Sequence, residues 1–166
     1  MMLYQRIIIS ALAISLGSCG FQPLYGTSAT GTRVTSQLSS INVEQQNTRT
    51  SQLIRNEILS SIGNRGSRDS TRYKLGFTSS AVDNETTTNF DSDVSRKSYQ
   101  LKVKYTLSDT ASGKVIHKGT TFSHVSYDLT DAPFSDHQAR ISAQERAAKE
   151  VGTDIRTRLA AYFASR

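Results

Sequence analysis

The sequence has one cysteine, Cys19, and no tryptophan. A single thiol cannot close an intramolecular disulfide, so the fold must be held by packing alone. Apolar residues make up only 36% of the chain and aromatics 8%, which leaves room for a thin core. There are two prolines, so few places where the backbone is forced to break. No apolar run approaches the ~20 residues that a membrane-crossing helix needs. The longest, residues 7–16, is about half that length. Acids are outnumbered: 14 against 20 lysines and arginines, for a net charge of +6. A basic balance points to an anionic partner.

The short apolar run follows Arg6 and ends at Leu16-Gly17-Ser18-Cys19. One positive charge, a short greasy stretch and a small-residue exit describe an export leader. Here the exit is a cysteine with Leu16 three places before it, which resembles the bacterial lipobox. That resemblance implies a covalent diacylglyceryl group on the Cys19 thiol and cleavage between Ser18 and Cys19. The freed amine then takes a fatty acyl chain such as palmitate. Small side chains at Gly17 and Ser18 let a peptidase reach the bond. Several chains anchor far more firmly than one, because each buried CH2 contributes about 0.8 kcal/mol. The alternatives are an ordinary leader or a buried free thiol. On the lipobox reading, residues 1–18 are removed and 148 of the 166 remain. Arg6 goes with them, leaving 19 bases against 14 acids, a net +5. Export sets nucleic acid aside as the partner.

The residues that follow, Cys19-Gly20-Phe21-Gln22-Pro23-Leu24-Tyr25-Gly26, are similar to the start of the mature LPS-assembly lipoprotein family LptE in its alphaproteobacterial form. The likeness covers eight residues directly behind the leader. It implies an outer-membrane lipoprotein on the periplasmic side of a Gram-negative envelope. Its partners would be the LPS-assembly barrel LptD, which it plugs and helps assemble, and lipopolysaccharide (LPS), whose insertion into the outer leaflet it assists. Gly20 is not an aspartate, the inner-membrane retention residue of some enterobacteria, so outer-membrane sorting is permitted. The alternative function is a lipoprotein that binds another periplasmic complex or carries a lipid ligand.

Periodicity supplies the fold independently. Residues 19–35 form the lipidated start and a Gly/Ser/Thr-rich flexible tether. Residues 36–166 make one globular domain. A first strand spans 38–43, and Asn47 or Thr48 caps the helix that carries Leu53, Ile54, Ile58 and Ile62 at helical spacing. Gly63 stops it, and residues 64–69 are a loop. Tyr73, Leu75, Phe77 and Ala81 alternate as a strand; Tyr99, Leu101, Val103, Tyr105 and Leu107 make another. Residues 109–113 turn into a fourth strand over 114–127. Its pattern changes parity between Val115 and Val125 on one side and Ile116 and Phe122 on the other, which implies a bulge near Gly119. Ser135 caps a last helix on which Ile141, Ala148, Val151, Ile155, Leu159 and Tyr162 share a face. The expected fold is α+β: a two-layer sandwich of a four-stranded mixed sheet with two helices on one face, in the order β-α-β-β-β-α.

This order places Arg33, Arg65, Arg68, Arg72, Lys114, Arg156, Arg158 and Arg166 at one end, and most acids at the other. The sorting is either incidental to solubility or a docking end for phosphate. Arginine suits phosphate because its planar fork binds two oxygens at once. The candidate LPS or anion contacts are Arg65, Arg68 and Arg72, then Arg96 and Lys97. No enzyme is expected. His117 and His124 lie seven apart in one strand and so face opposite ways, and His137 has no partner at metal-ligand spacing. No metal or cofactor is implied beyond the lipid.

Overall fold

The computed structural model describes residues 29–63, 71–87, 95–130 and 132–166. The chain order is α1 (Ala29–Ser39), β1 (Ile41–Val43), α2 (Arg49–Ile62), β2 (Tyr73–Thr87), β3 (Ser95–Asp109), β4 (Val115–Leu129) and α3 (Pro133–Ala164). The strands form one sheet in the order β1-β2-β3-β4. β1 lies parallel to β2, while β2, β3 and β4 form an antiparallel meander. The α+β, two-layer, mixed-sheet expectation therefore holds, with one helix more than foreseen.

That extra helix corrects the expected tether. Residues 29–35 belong to α1, not to a flexible segment, and Val34 and Leu38 of α1 are buried in the core. The expected first strand over 38–43 shrinks to Ile41–Val43. The low-complexity composition hid the helix: Thr and Ser dilute its apolar signal, yet Val34 and Leu38 stand four apart and share a face. Residues 19–28 lie outside the described residues.

α2 begins as its sequence requires. Thr48 Oγ1 accepts from the Ser51 backbone N–H at 3.2 Å, satisfying one open donor of the first turn. Ser51 is buried and its hydroxyl meets Ser79 of β2 at 2.8 Å, so the cap also ties the helix to the sheet. Gly63 ends α2 with φ of 70°, a left-handed conformation that favours glycine. Ile54, Ile58 and Ile62 point into the core. α3 starts at Pro133, without a side-chain cap; Ser135 lies in its first turn and is not the cap. Gly152 of α3 leaves space for α2: a Cβ there would stand 2.7 Å from Glu57 Cγ.

The two long hairpins bury alternate residues against the helices, with Tyr99, Leu101, Val103, Tyr105 and Leu107 all 3% exposed or less. The β4 irregularity is not at Gly119. It sits between Val115 and His117, which pair with Ser108 and Leu107 and leave Ile116 as the extra residue. Gly119 is instead opposite Tyr105, whose ring fills the space a side chain would take. No helix among the described residues is long and apolar enough to cross a membrane.

Candidate functional site: a basic cleft at one end of the sandwich

The start of β2, the end of β3, the start of β4 and the end of α3 meet at one end of the molecule. There a cleft of about 300 Å³ is lined by Arg33 of α1, Arg72 just before β2, and Arg166 just after α3. Its walls are Tyr73, Tyr162 and Phe163. Arg166 lies over the Tyr162 ring at 4.9 Å and Arg72 over the Tyr73 ring at 5.5 Å, both within cation–π range. The Tyr73 hydroxyl donates to Gln37 Oε1 at 2.8 Å, joining β2 to α1 below the cleft. Tyr73 also packs on Phe163 at 5.2 Å between centroids.

One acid lines the cleft, Asp109. Its Oδ1 accepts from the backbone N–H and the hydroxyl of Ser112, both at 2.9 Å. Those bonds, with Arg72 nearby, hold its carboxyl below the usual range, so it remains ionised. Among the described residues, Arg33, Arg72 and Arg166 form no salt bridge. Three guanidinium groups against one carboxylate leave the cleft net positive.

Tyr162 separates this cleft from a second one of about 440 Å³, lined by His117, Lys118, Gly119 and Arg158 among others. His117 stacks on Tyr162 at 4.7 Å and stands 5.9 Å from the Tyr105 ring. Burial, then Arg158, lowers the His117 pKa, since each disfavours the imidazolium. Burial raises the Tyr105 hydroxyl. His124 is exposed on the other face of β4, so the two histidines do point apart.

The sequence-named basic residues divide. Arg72 lines the cleft; Arg65 and Arg68 lie outside the described residues. Arg96 and Lys97 are at the far end of the sheet and alternate to opposite faces of β3. Arg96 is occupied by Asp128 of β4, with Nε to Oδ1 at 2.8 Å and Nη2 to Oδ2 at 3.4 Å. That pairing lowers the Asp128 carboxyl and raises Arg96. The same far end joins Arg140 to Asp83 at 2.9 Å. The far end thus pairs Arg96 and Arg140 with acids, while Arg33, Arg72 and Arg166 of the cleft have no salt-bridge partner among the described residues. Arg33 and Arg166 were legible as basic residues of this end, but their meeting in one cleft was not.

Among the described residues there is no group of three or more His, Cys, Asp or Glu able to hold a metal. No family model matches the chain, and no curated protein matches it. Solved structures do. A candidate lipoprotein from Caulobacter crescentus is similar at a TM-score of 0.68 and 28% identity, over 80% of this chain and 97% of that one. A minor lipoprotein from Acinetobacter baumannii shares the fold at a TM-score of 0.52 and 15% identity, over 74% of this chain and 89% of its own. Rare lipoprotein B from Shewanella oneidensis shares it at 0.50 and 12%, over 74% and 92%. What the three comparisons share with this chain is the fold, a two-layer α+β domain, and each of the three is a bacterial lipoprotein.

Proposed function

We propose that this chain is an outer-membrane lipoprotein of the LptE type, anchored through lipid on Cys19 at the periplasmic face. In this reading it plugs the LPS-assembly barrel LptD, helps the barrel assemble, and takes part in inserting LPS into the outer leaflet. Its work is binding, not catalysis. The observation that carries the reading is the lipoprotein fold standing behind Cys19-Gly20-Phe21-Gln22-Pro23-Leu24-Tyr25.

Two physical features support it. The interior of an outer-membrane barrel is polar, and the uncovered face of this sheet is largely so: Lys102, Lys104, Thr106, Lys118 and Thr120 stand exposed around one aromatic, Phe122. The domain is also stiff, because three 15-residue strands are paired along almost their whole length.

The test is capture of the full-length lipidated protein from detergent-solubilised envelopes. The expected companion is one large outer-membrane barrel in equimolar amount. Recovery without such a barrel would sink the plug reading, and a different equimolar companion would favour a role in another periplasmic complex. In parallel, Cys19→Ala should move the protein from the membrane to the soluble periplasmic fraction.

A further inference from the structure

We propose that the uncovered face of the sheet is a membrane-docking surface. With no barrel around it, the tethered domain lies sheet-down on an anionic phospholipid leaflet. Phe122 enters the head-group layer, and Lys102, Lys104 and Lys118 meet the lipid phosphates. The inference rests on the reading above only for the anchor on Cys19. The surface itself follows from register, exposure and charge.

Even-numbered residues of β3 turn away from the helices, and pairing sets even-numbered residues of β2 and β4 beside them. On this face Lys102 stands opposite Phe122, Lys104 opposite Thr120, and Lys118 opposite Thr106. Both acids of the face, among the described residues, are taken. Glu44 is held by Lys74 at 2.7 Å and Asp128 by Arg96 at 2.8 Å, near its two ends. The middle, about 20 Å along β3 from Thr106 to Gln100, therefore carries three lysines and no acid.

The relief of this face suits a flat partner. On β2 the residues facing Thr106, Lys104 and Lys102 are Gly76, Thr78 and Ser80, all short. Phe122 and the lysines thus project furthest. Phe122 is 71% exposed, with the His124 ring 5.6 Å away, and Val82 stands 55% exposed in the His124 row. An exposed aromatic ringed by cations matches the boundary between lipid and water, where aromatic rings settle at the level of the head groups. Lysine stems bend to keep their charged heads among the phosphates. Each lysine near an anionic leaflet favours contact about fivefold, so three favour it on the order of a hundredfold. A lipid tether holds the face close to the leaflet, so weak contacts suffice. A second copy of the chain is a poor occupant, because two such faces would set lysine against lysine.

The chain has no tryptophan, so Phe122→Trp provides a single fluorescent reporter. The full-length lipidated protein carrying it is reconstituted, without barrel or LPS, into vesicles containing brominated lipid as quencher. The vesicles are either phosphatidylcholine alone or phosphatidylcholine enriched in phosphatidylglycerol. Emission should shift to the blue in the anionic vesicles and be quenched at least about twofold more than in the neutral ones. Raising salt from 50 to 500 mM should remove most of that difference, as screening shortens the reach of exposed charges. Adding Lys102→Gln, Lys104→Gln and Lys118→Gln together should remove it too. Lys149→Trp, at an exposed position of α3, should be quenched little in either vesicle. Thermal melts of each variant establish that it is folded.

No quenching of the Phe122→Trp reporter in anionic vesicles would overturn the proposal and leave the face to an acidic protein. Equal quenching at the two reporter positions would overturn it as well, since no face would then be preferred. So would quenching that is the same in neutral and anionic vesicles, or that survives loss of the three lysines. Flotation with neutral vesicles reports the anchor separately. A protein that floats with anionic vesicles alone would sink the anchor and keep the face. Neither vesicle contains a barrel, so failure of barrel capture would sink only the plug reading.

Discussion

Tyr105 and Gly119 face each other across β3 and β4, and the ring takes the place of the missing side chain. A Cβ on Gly119 would stand 2.5 Å from the Tyr105 hydroxyl oxygen. Tyr105 is 2% exposed and has little room to retreat. Gly119→Val should therefore destabilise the fold by about 1–3 kcal/mol, the usual cost of overpacking, measured by denaturant unfolding. A variant as stable as the parent would show that Tyr105 moves freely. His117, two residues earlier, has its pKa lowered by burial and by Arg158. Because the lowered pKa belongs to the folded state, the unfolded chain takes the proton first. The His117 contribution should be fully present above about pH 6.5, the unperturbed value, and should fade as pH falls through the folded pKa. The imidazole resonance should titrate below about 6.5. His117→Phe should lose less melting temperature on acidification than the parent; a greater loss would reverse the sign argued here.

At the scale of elements, α1 carries the largest departure from expectation. Leu38 is 2% exposed and Val34 fully buried, so α1 is part of the core and not a leash. Leu38→Ala should cost about 2–5 kcal/mol, as truncation of a buried leucine does. A change near zero in urea unfolding would restore the tether. The α2 cap makes a second case. Thr48→Ala removes the acceptor for the Ser51 N–H and the partner of the Ser51 hydroxyl. About 1 kcal/mol should be lost, and Thr48→Ser should recover most of it. β4 shows why its pattern read ambiguously. Ile116 is the bulged residue and Phe122 is 71% exposed, so neither obeys the inward alternation that runs from His117 to Leu129. Alternation locates a strand, but a bulge shifts its phase, and only the partner strand reveals where.

For the whole molecule, the match of lengths matters. A 32-residue helix is about 48 Å long, and 15-residue strands are about 50 Å. α3 thus spans the sheet from end to end and carries its last turn to the cleft. The strands also separate the ends: Arg72 and Asp109 stand beside one end of β2 and β3, Arg96 and Asp128 at the other. At the far end Arg96 and Arg140 meet acids within salt-bridge distance, while at the cleft end Arg72 and Arg166 lie over aromatic rings. The proposed lipid on Cys19 belongs to this scale too, since it would set which membrane the domain works beside.

Apart from α1, the element types followed from the sequence alone, including the three strands of the meander and the last helix, because alternation and helical spacing are local properties of burial. The Gly63 stop and a cap at Asn47 or Thr48 were legible for the same reason, capping being decided within a turn, and the structure chose Thr48. The excess of bases at one end also followed, once strand order was assumed. What only the tertiary structure decided was contact between distant residues. Arg33, Arg72 and Arg166 are separated by most of the chain, and their convergence depends on β1 pairing with β2, on α1 packing against α3, and on α3 being long enough to return. Pairing across such separations leaves no periodic trace in sequence, because it is fixed by which surfaces fit and not by neighbours along the backbone.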